Sequence, residues 1–330
     1  MNSRQMITLM CTVPLLLAGC GREPAKDAPA GGETPPVSRT STPAAVTPPT
    51  FNASRAFRFL TAQTAFGPRN PLSAGHDRCL AYLTTTLRGL ADEVRLQEFS
   101  HTGYDGERLP LTNIIASFRP AATARVLLCA HWDTRPRAEH DEDRTRRNEP
   151  ILGANDGASG VAVLLEIATL LKSAPPAIGV DLVLFDGEDY GMESDHARYL
   201  LGSRYYAANL AGGPVPRFGI LLDMVGDTYL DLPREGFSVR YAPDVVDLVW
   251  KTAERLGIRQ FTDEAGEEIL DDHIPLNEAG IKTIDIIDFN YPDPTNRFWH
   301  SHKDVPENCS PESLEAVGTV LCHVVYGQTP

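Results

Sequence analysis

Apolar residues recur along positions 51–330 with two spacings, one of helices and one of buried strands. Ala53, Ala56, Phe57 and Leu60 fall at i, i+3, i+4 and i+7, which predicts a first helix; Cys79–Leu90 predicts a second. Asn113–Phe118 and Ala124–Ala130 read as strands. The latter is a nearly continuous apolar run from Val126 to Ala130, the pattern of a strand covered on both faces. Gly157–Lys172 is an amphipathic helix through Val161, Leu164, Leu165, Ala168 and Leu171. Val180–Phe185 and Phe218–Met224 follow as buried strands, then Val245–Leu256 as a helix and Thr283–Phe289 as a strand. Pro311–Tyr326 is a last helix with proline near its start. Strand and helix alternate from about residue 110, which predicts an α/β fold: a three-layer α/β/α sandwich around a mostly parallel central sheet. No internal repeat is present, and residues 51–330 are expected to form one domain.

The N-terminus has a different character. Arg4 precedes a short apolar stretch, Met6–Leu17, that ends in Leu17-Ala18-Gly19-Cys20. A bilayer-spanning helix needs about 20 apolar residues, so this stretch reads as an export signal over residues 1–20. Its ending resembles a bacterial lipobox, cut before Cys20, whose thiol would carry the lipid; a plain secretory signal with a chance cysteine is the alternative. Gly21 in place of Asp gives no signal for inner-membrane retention, so the expectation is an exported lipoprotein facing the periplasm or cell surface, with the outer membrane favoured. Residues 21–50 are rich in Pro, Ala, Thr and Gly and nearly lack large apolar side chains, the composition of a flexible tether.

Formal net charge is −14, with no basic run, which argues against nucleic acid or an anionic membrane surface as a partner. Membrane contact is expected only through lipidated Cys20, and the domain is expected to be a monomer. Of six cysteines, Cys79, Cys129, Cys309 and Cys322 lie in the domain without C-x-x-C spacing, which argues against a thiolate zinc site. Export permits disulfides, and these four cysteines allow three pairings with nothing to choose among them.

The acids and imidazoles fall where strands end. His131 and Asp133 follow the strand ending at Ala130. Asp156 lies in Gly153–Gly160, at the entrance to a helix. Glu188 and Asp189 follow the strand ending at Phe185, Asp223 closes Ile220-Leu221-Leu222, and His300 follows Phe298-Trp299. In open α/β sheets ligands gather at the carboxyl ends of strands. Taken singly, Asp156 reads as a helix N-cap, Glu188-Asp189 as a solvated turn and His300 as a surface histidine. Asp223, an acid inside an apolar strand, needs a partner. Together they make an Asp/Glu/His shell without thiolates, the pattern of a catalytic zinc with an open coordination position. His302 is expected at the surface and His273 in a structural hydrogen bond to a neighbouring carboxylate. His101, His140 and His196 read as solvated loop residues, and Asp186 is either a supporting residue behind the site or a turn acid.

The segments His131-Trp132-Asp133-Thr134, Asn155-Asp156-Gly157, Phe185–Asp189, Leu222-Asp223-Met224 and Trp299-His300 resemble, in order, the motifs of zinc aminopeptidase-like exopeptidases. Asp271–Pro275, Gly202-Ser203-Arg204, Phe298-Trp299-His300 and the charged loop Arg135–Pro150 are more similar to the glutaminyl cyclase branch, its bacterial members included. The resemblance covers about residues 55–327. It implies one zinc held by Asp156, Asp189 and His300, with Glu188 as the proton-shuttling acid/base. Asp223 and Asp271 would be its hydrogen-bonded carboxylate partners, raising its proton affinity by like-charge coupling, and Trp299 would wall the substrate pocket. The implied activity is cyclisation of N-terminal glutamine on peptides or proteins, with release of ammonia. Two alternatives remain. A two-zinc aminopeptidase would use His131 and Asp223 on the second metal, bridge with Asp156 and orient His131 through Asp133; Asp189 stands where such peptidases usually carry Glu. A non-catalytic ectodomain would hold no metal.

Overall fold

The computed structural model describes residues 47–210 and 212–330; the expected signal and nearly all of the expected tether lie outside them. In chain order the elements are α1 (Ala53–Thr64), α2 (Ala74–Leu90), β1 (Glu93–Thr102), β2 (Arg108–Phe118), β3 (Arg125–His131), α3 (Ala158–Ser173), β4 (Gly179–Phe185), α4 (Leu201–Ala208) and β5 (Gly219–Asp223). They continue with β6 (Leu232–Arg234), α5 (Gly236–Tyr241), α6 (Pro243–Leu256), β7 (Phe261–Ala265), α7 (His273–Glu278), β8 (Thr283–Ile287) and α8 (Pro311–Tyr326). The main sheet runs β1-β2-β4-β3-β5-β8, with β6 and β7 forming a separate two-stranded pair. Strands β4, β3, β5 and β8 are mutually parallel, whereas β1 and β2 form an antiparallel edge.

Alternation along the central strands divides the core in two. Val126, Leu128, Ile220, Leu222, Ile284 and Ile286 face a cluster that includes residues of α1, α2, α3, α6 and α8. Leu127, Cys129, Val183, Phe185 and Leu221 face the opposite way, onto Tyr206 of α4 and Leu276 of α7. Strands buried on both faces are what the continuous apolar runs predict, and the result is the expected three-layer sandwich. Helix α3 is buried almost all round and lies close against β5: a Cβ added at Gly160 would come within 2.3 Å of the Leu222 carbonyl oxygen.

Strand β1 has no counterpart in the sequence reading. It is an edge strand with Gln97 as its one buried residue, so its apolar content is low and no buried run marks it. Helix α2 begins at Ala74, five residues before the predicted Cys79, with Ser73 as N-cap, its hydroxyl accepting from the His76 N–H. The four cysteines are buried and unpaired, so no disulfide forms among them.

A buried acid fastens the first helix to the core. Glu166 on α3 is fully buried and receives the Arg55 guanidinium at 2.5 and 2.7 Å and the Asn52 backbone N–H at 3.2 Å. Glu166→Gln removes the charge-assisted fork and is expected to destabilise the domain by about 1–2 kcal/mol, the partial exposure of Arg55 keeping the loss small. The midpoint of urea unfolding measures this, and an unchanged midpoint contradicts it.

Candidate active site

The parallel register brings the chemistry together. His131 ends β3 opposite Phe185, the last residue of β4, and Asp223 ends β5 opposite Ile287 at the end of β8. The turn after β4 carries Asp186, Gly187, Glu188 and Asp189, and the loop before α3 carries Asp156. Gly157 has φ +99°, and a Cβ there would meet the Asp133 carbonyl oxygen at 2.5 Å, so only glycine lets the Asp156 loop pass so close to β3. Met224 and His300 also have left-handed backbones, at φ +48° each, a conformation non-glycine residues adopt at a cost that surrounding structure must cover.

Buried polar residues hold these loops. Asp304 accepts the backbone N–H groups of Asn155 at 2.7 Å and Asp156 at 3.2 Å, and the Tyr291 hydroxyl at 3.0 Å. Arg69, also fully buried, donates to the carbonyls of Trp132, Leu152 and Gly153. Asp133 accepts from the N–H groups of Glu188 at 3.1 Å and Asp189 at 3.3 Å. Its nearest approach to His131 Nδ1 is 3.6 Å, beyond a hydrogen bond, so Asp133 shapes the Glu188 turn instead of orienting His131.

Two trios of potential metal ligands result, His131/Asp156/Asp223 and Asp156/Asp189/His300. Tetrahedral zinc with bonds of about 2.0–2.2 Å sets its ligand atoms about 3.3–3.6 Å apart. His300 Nε2 lies 3.4 Å from Asp189 Oδ1 and 3.6 Å from Asp156 Oδ2, which matches. His131 Nε2 lies 3.1 Å from Asp223 Oδ1 and 3.2 Å from Asp156 Oδ1, the separations of direct hydrogen bonds. Asp189 Oδ2 is buried without a partner among the described residues. The donor set of hard oxygens and imidazole nitrogen fits zinc.

Protonation divides the trios in the same way. Burial lowers the His300 pKa and keeps the imidazole neutral, the form a metal requires. Burial works against ionisation of Asp189, but His300 and Arg135 hold its carboxyl below the ordinary range. Burial would also lower His131, yet Asp223, Asp133 and Asp156 hold it well above its ordinary value. Glu188 is lifted well above the ordinary glutamate range, first by burial, against the pull of His131, and further by Asp189, Asp271 and Asp272. Asp271 is pushed up to about 6 by burial and by Asp223.

Asp156, Glu188, Asp189, Asp223, Asp271, Trp299 and His300 line one pocket, with Tyr199, Leu270 and Phe289 around it. Its volume of ≈ 70 Å³ equals roughly five to seven water-sized spheres, the scale of one side chain. Trp299 stacks on His300 at a ring separation of 3.7 Å and meets Phe289 edge-on at 5.0 Å. Asp223 and Asp271 share this pocket with Glu188, but no hydrogen bond joins Glu188 to either among the described residues. Asp223 is bonded to His131 and to the Met224 N–H instead. The like charges that raise Glu188 include Asp271 and the unanticipated Asp272.

Other expectations are settled by position. Asp156 precedes the helix cap, Gly157, and caps nothing. His302 belongs to neither trio and donates its backbone N–H to the Asp141 carboxylate, which also lies 2.7 Å from its Nδ1, and His273 is buried 3.4 Å from Glu235. Asp186 is a buried partner of His76, at 2.9 Å. His140 is not simply solvated: it meets Trp299 edge-on at 4.7 Å, donates its backbone N–H to the His300 carbonyl and pairs with Glu193. His101 lies half-buried on β1, and His196 is exposed in a single turn of 3₁₀ helix.

A mostly parallel α/β sheet that gathers acid–imidazole trios at its strand ends defines a zinc-exopeptidase-like protein. The chain belongs to Peptidase family M28, which matches residues 113–325. Solved structures similar to it include the glutaminyl cyclase of Bacteroides thetaiotaomicron, at 40% identity and TM-score 0.82, covering 86% of this chain and all of that one. A leucine aminopeptidase precursor from the same organism matches at 41% identity, the same TM-score and the same coverage. Among curated proteins, the glutaminyl-peptide cyclotransferase of Bothrops jararaca is 25% identical over 77% of this chain and 75% of its own length. An aminopeptidase of Bacillus subtilis, YwaD, is 29% identical over 61% of this chain, a match spanning 40% of that enzyme's length.

Asp304 holds the Asp156 loop through two backbone hydrogen bonds, so Asp304→Asn is expected to weaken Zn²⁺ binding by about 10- to 100-fold. Titration against a chelator of known affinity measures this; full affinity in a folded variant contradicts it.

Proposed function

We propose that the protein cyclises N-terminal glutamine of peptides or proteins to pyroglutamate, releasing ammonia, with a single zinc held by Asp156, Asp189 and His300. The observation that carries this reading is the difference between the two trios. His300 stands 3.4 and 3.6 Å from Asp189 and Asp156, the spacing of ligands around zinc, whereas His131 is hydrogen-bonded to Asp223 at 3.1 Å and lies 3.2 Å from Asp156. A two-metal peptidase needs a second cation about 3.5–4 Å from the first, where His131 is already hydrogen-bonded to Asp223. The similarity to bacterial glutaminyl cyclases points the same way.

The α-amine of a folded N-terminal glutamine attacks its own γ-carbonyl carbon, the carbon–nitrogen bond of the carboxamide breaks, and a five-membered lactam closes. Zinc, when bound, supplies Lewis acidity at the γ-carbonyl oxygen. Glu188 takes the proton from the attacking amine and returns it to the departing nitrogen, so ammonia leaves without net proton uptake. Its carboxyl is raised by burial and by Asp189, Asp271 and Asp272, which makes it a stronger proton acceptor than an exposed glutamate. Trp299 confines the glutamine side chain, and holding amine and carbonyl together supplies the proximity advantage of an intramolecular reaction. We read the N-terminal 50 residues as placing this domain outside the cytoplasm, tethered through lipidated Cys20.

The domain from Phe51 onward is expected to convert a Gln-initiated peptide to its pyroglutamyl form with release of ammonia, and to leave a Leu-initiated chromogenic amide uncut. Cleavage without cyclisation would instead establish the peptidase. Glu188→Gln should lower kcat by about 10²- to 10⁴-fold with zinc still bound; loss of metal from that variant would make Glu188 a ligand. Elemental analysis should find one zinc per chain, and chelation should abolish turnover until zinc is restored. Two zincs per chain would count against the single-metal site.

A further inference from the structure

Arg135 is a fully buried guanidinium that the chemistry above does not use. Its Nη1 donates to Asp189 Oδ1 at 2.8 Å and to the Asp189 carbonyl at 3.2 Å. The other side of the fork meets Glu139: Nε donates to Oε2 at 2.9 Å and Nη2 to Oε1 at 2.8 Å. The guanidinium carbon stands 5.1 Å from the ring centre of Tyr199, a residue of the pocket wall. Thus one cation joins a candidate metal ligand, a pocket residue and the loop 135–150.

The bonding pattern on Asp189 is asymmetric. Oδ1 is taken by Arg135, whereas Oδ2 is buried without a partner among the described residues. A carboxylate held by one oxygen to a planar donor has its plane and its free oxygen fixed. Glu139 fixes the donor in turn, through a bidentate pair four residues along the same loop. Residues that orient metal ligands in this way set affinity nearly as strongly as the ligands themselves.

We infer that Arg135 is a positioning residue for the metal: it pins the Asp189 carboxylate through Oδ1 and the Asp189 carbonyl, and it braces the 135–150 loop against the metal edge through Glu139. The inference rests on the reading that Asp156, Asp189 and His300 hold zinc, but not on which reaction the zinc serves.

The test uses Arg135→Lys, which keeps a positive charge and loses the planar fork, with Glu139→Gln as the companion that leaves the Asp189 contact in place. Zinc affinity is measured without substrate by chelator competition, beside the melting temperature of each metal-free protein. Arg135→Lys should lose about 10- to 100-fold in zinc affinity, with the zinc-induced rise in melting temperature shrinking to match. Glu139→Gln should lose less. Zinc affinity within threefold of the wild type in Arg135→Lys overturns the inference, as does a loss in Glu139→Gln equal to that in Arg135→Lys. If Arg135→Lys does not fold, Arg135→Gln, which keeps a planar donor group, takes its place with the same thresholds. If the wild-type protein binds zinc through these residues but cuts peptide bonds, the proposed reaction fails while the role of Arg135 stands.

Discussion

The structure depends on confining negative charge. Asp156, Glu188, Asp189, Asp271, Asp272 and Asp285 are all buried around the ends of β4, β5 and β8, with Asp223 beside them at the end of β5. Both oxygens of Asp272 and of Asp285 lack a hydrogen-bond partner among the described residues. Burial pushes most of these carboxyls upward in pKa, whereas His300 and Arg135 hold Asp189 down. A site of this kind is costly without a cation and favourable with one. The apolar sandwich behind it makes the arrangement possible, because parallel strands buried on both faces hold their ends in fixed register.

Much of the fold and of the candidate site was legible in the sequence because several of its acids and a histidine closely follow apolar runs, while Asp156 sits at the entrance to a helix. Val126–Ala130, Val180–Phe185 and Ile220–Leu222 announce strands, and parallel strands bring their carboxyl ends to one edge. Asp156, Asp189 and His300, grouped by the resemblance, lie together at that edge. The supporting residues were not legible. Asp304 serves Asn155 and Asp156 from about 150 positions away, and Arg69 reaches Leu152 and Gly153 from over 80. Nothing local marks an acid or arginine as buried when its partners are so distant. Asp272 and Asp285 were passed over for a similar reason, since one sits beside the better-matched Asp271 and the other interrupts a strand only once. Strand β1 escaped because an edge strand needs no buried run.

His131 illustrates how one residue type serves different ends on the same fold. Its position is that of a second-metal ligand in the related peptidases, and its neighbours are the right ones. What differs is the spacing: at 3.1 and 3.2 Å the carboxylates bond to the ring itself. Asp156 is shared between both halves of the site. Ligand identity in a sequence thus leaves metal count open.

The smallness of the pocket has a consequence for what can be modified. On the proposed reading, a recess on the scale of one side chain, lined by buried carboxylates, would favour a glutamine at the end of a chain over one with neighbours on both sides. Selection for chain ends would therefore follow from shape alone, before any group recognises the free amine, and proteins whose first residue is tucked into their own fold would escape the enzyme altogether.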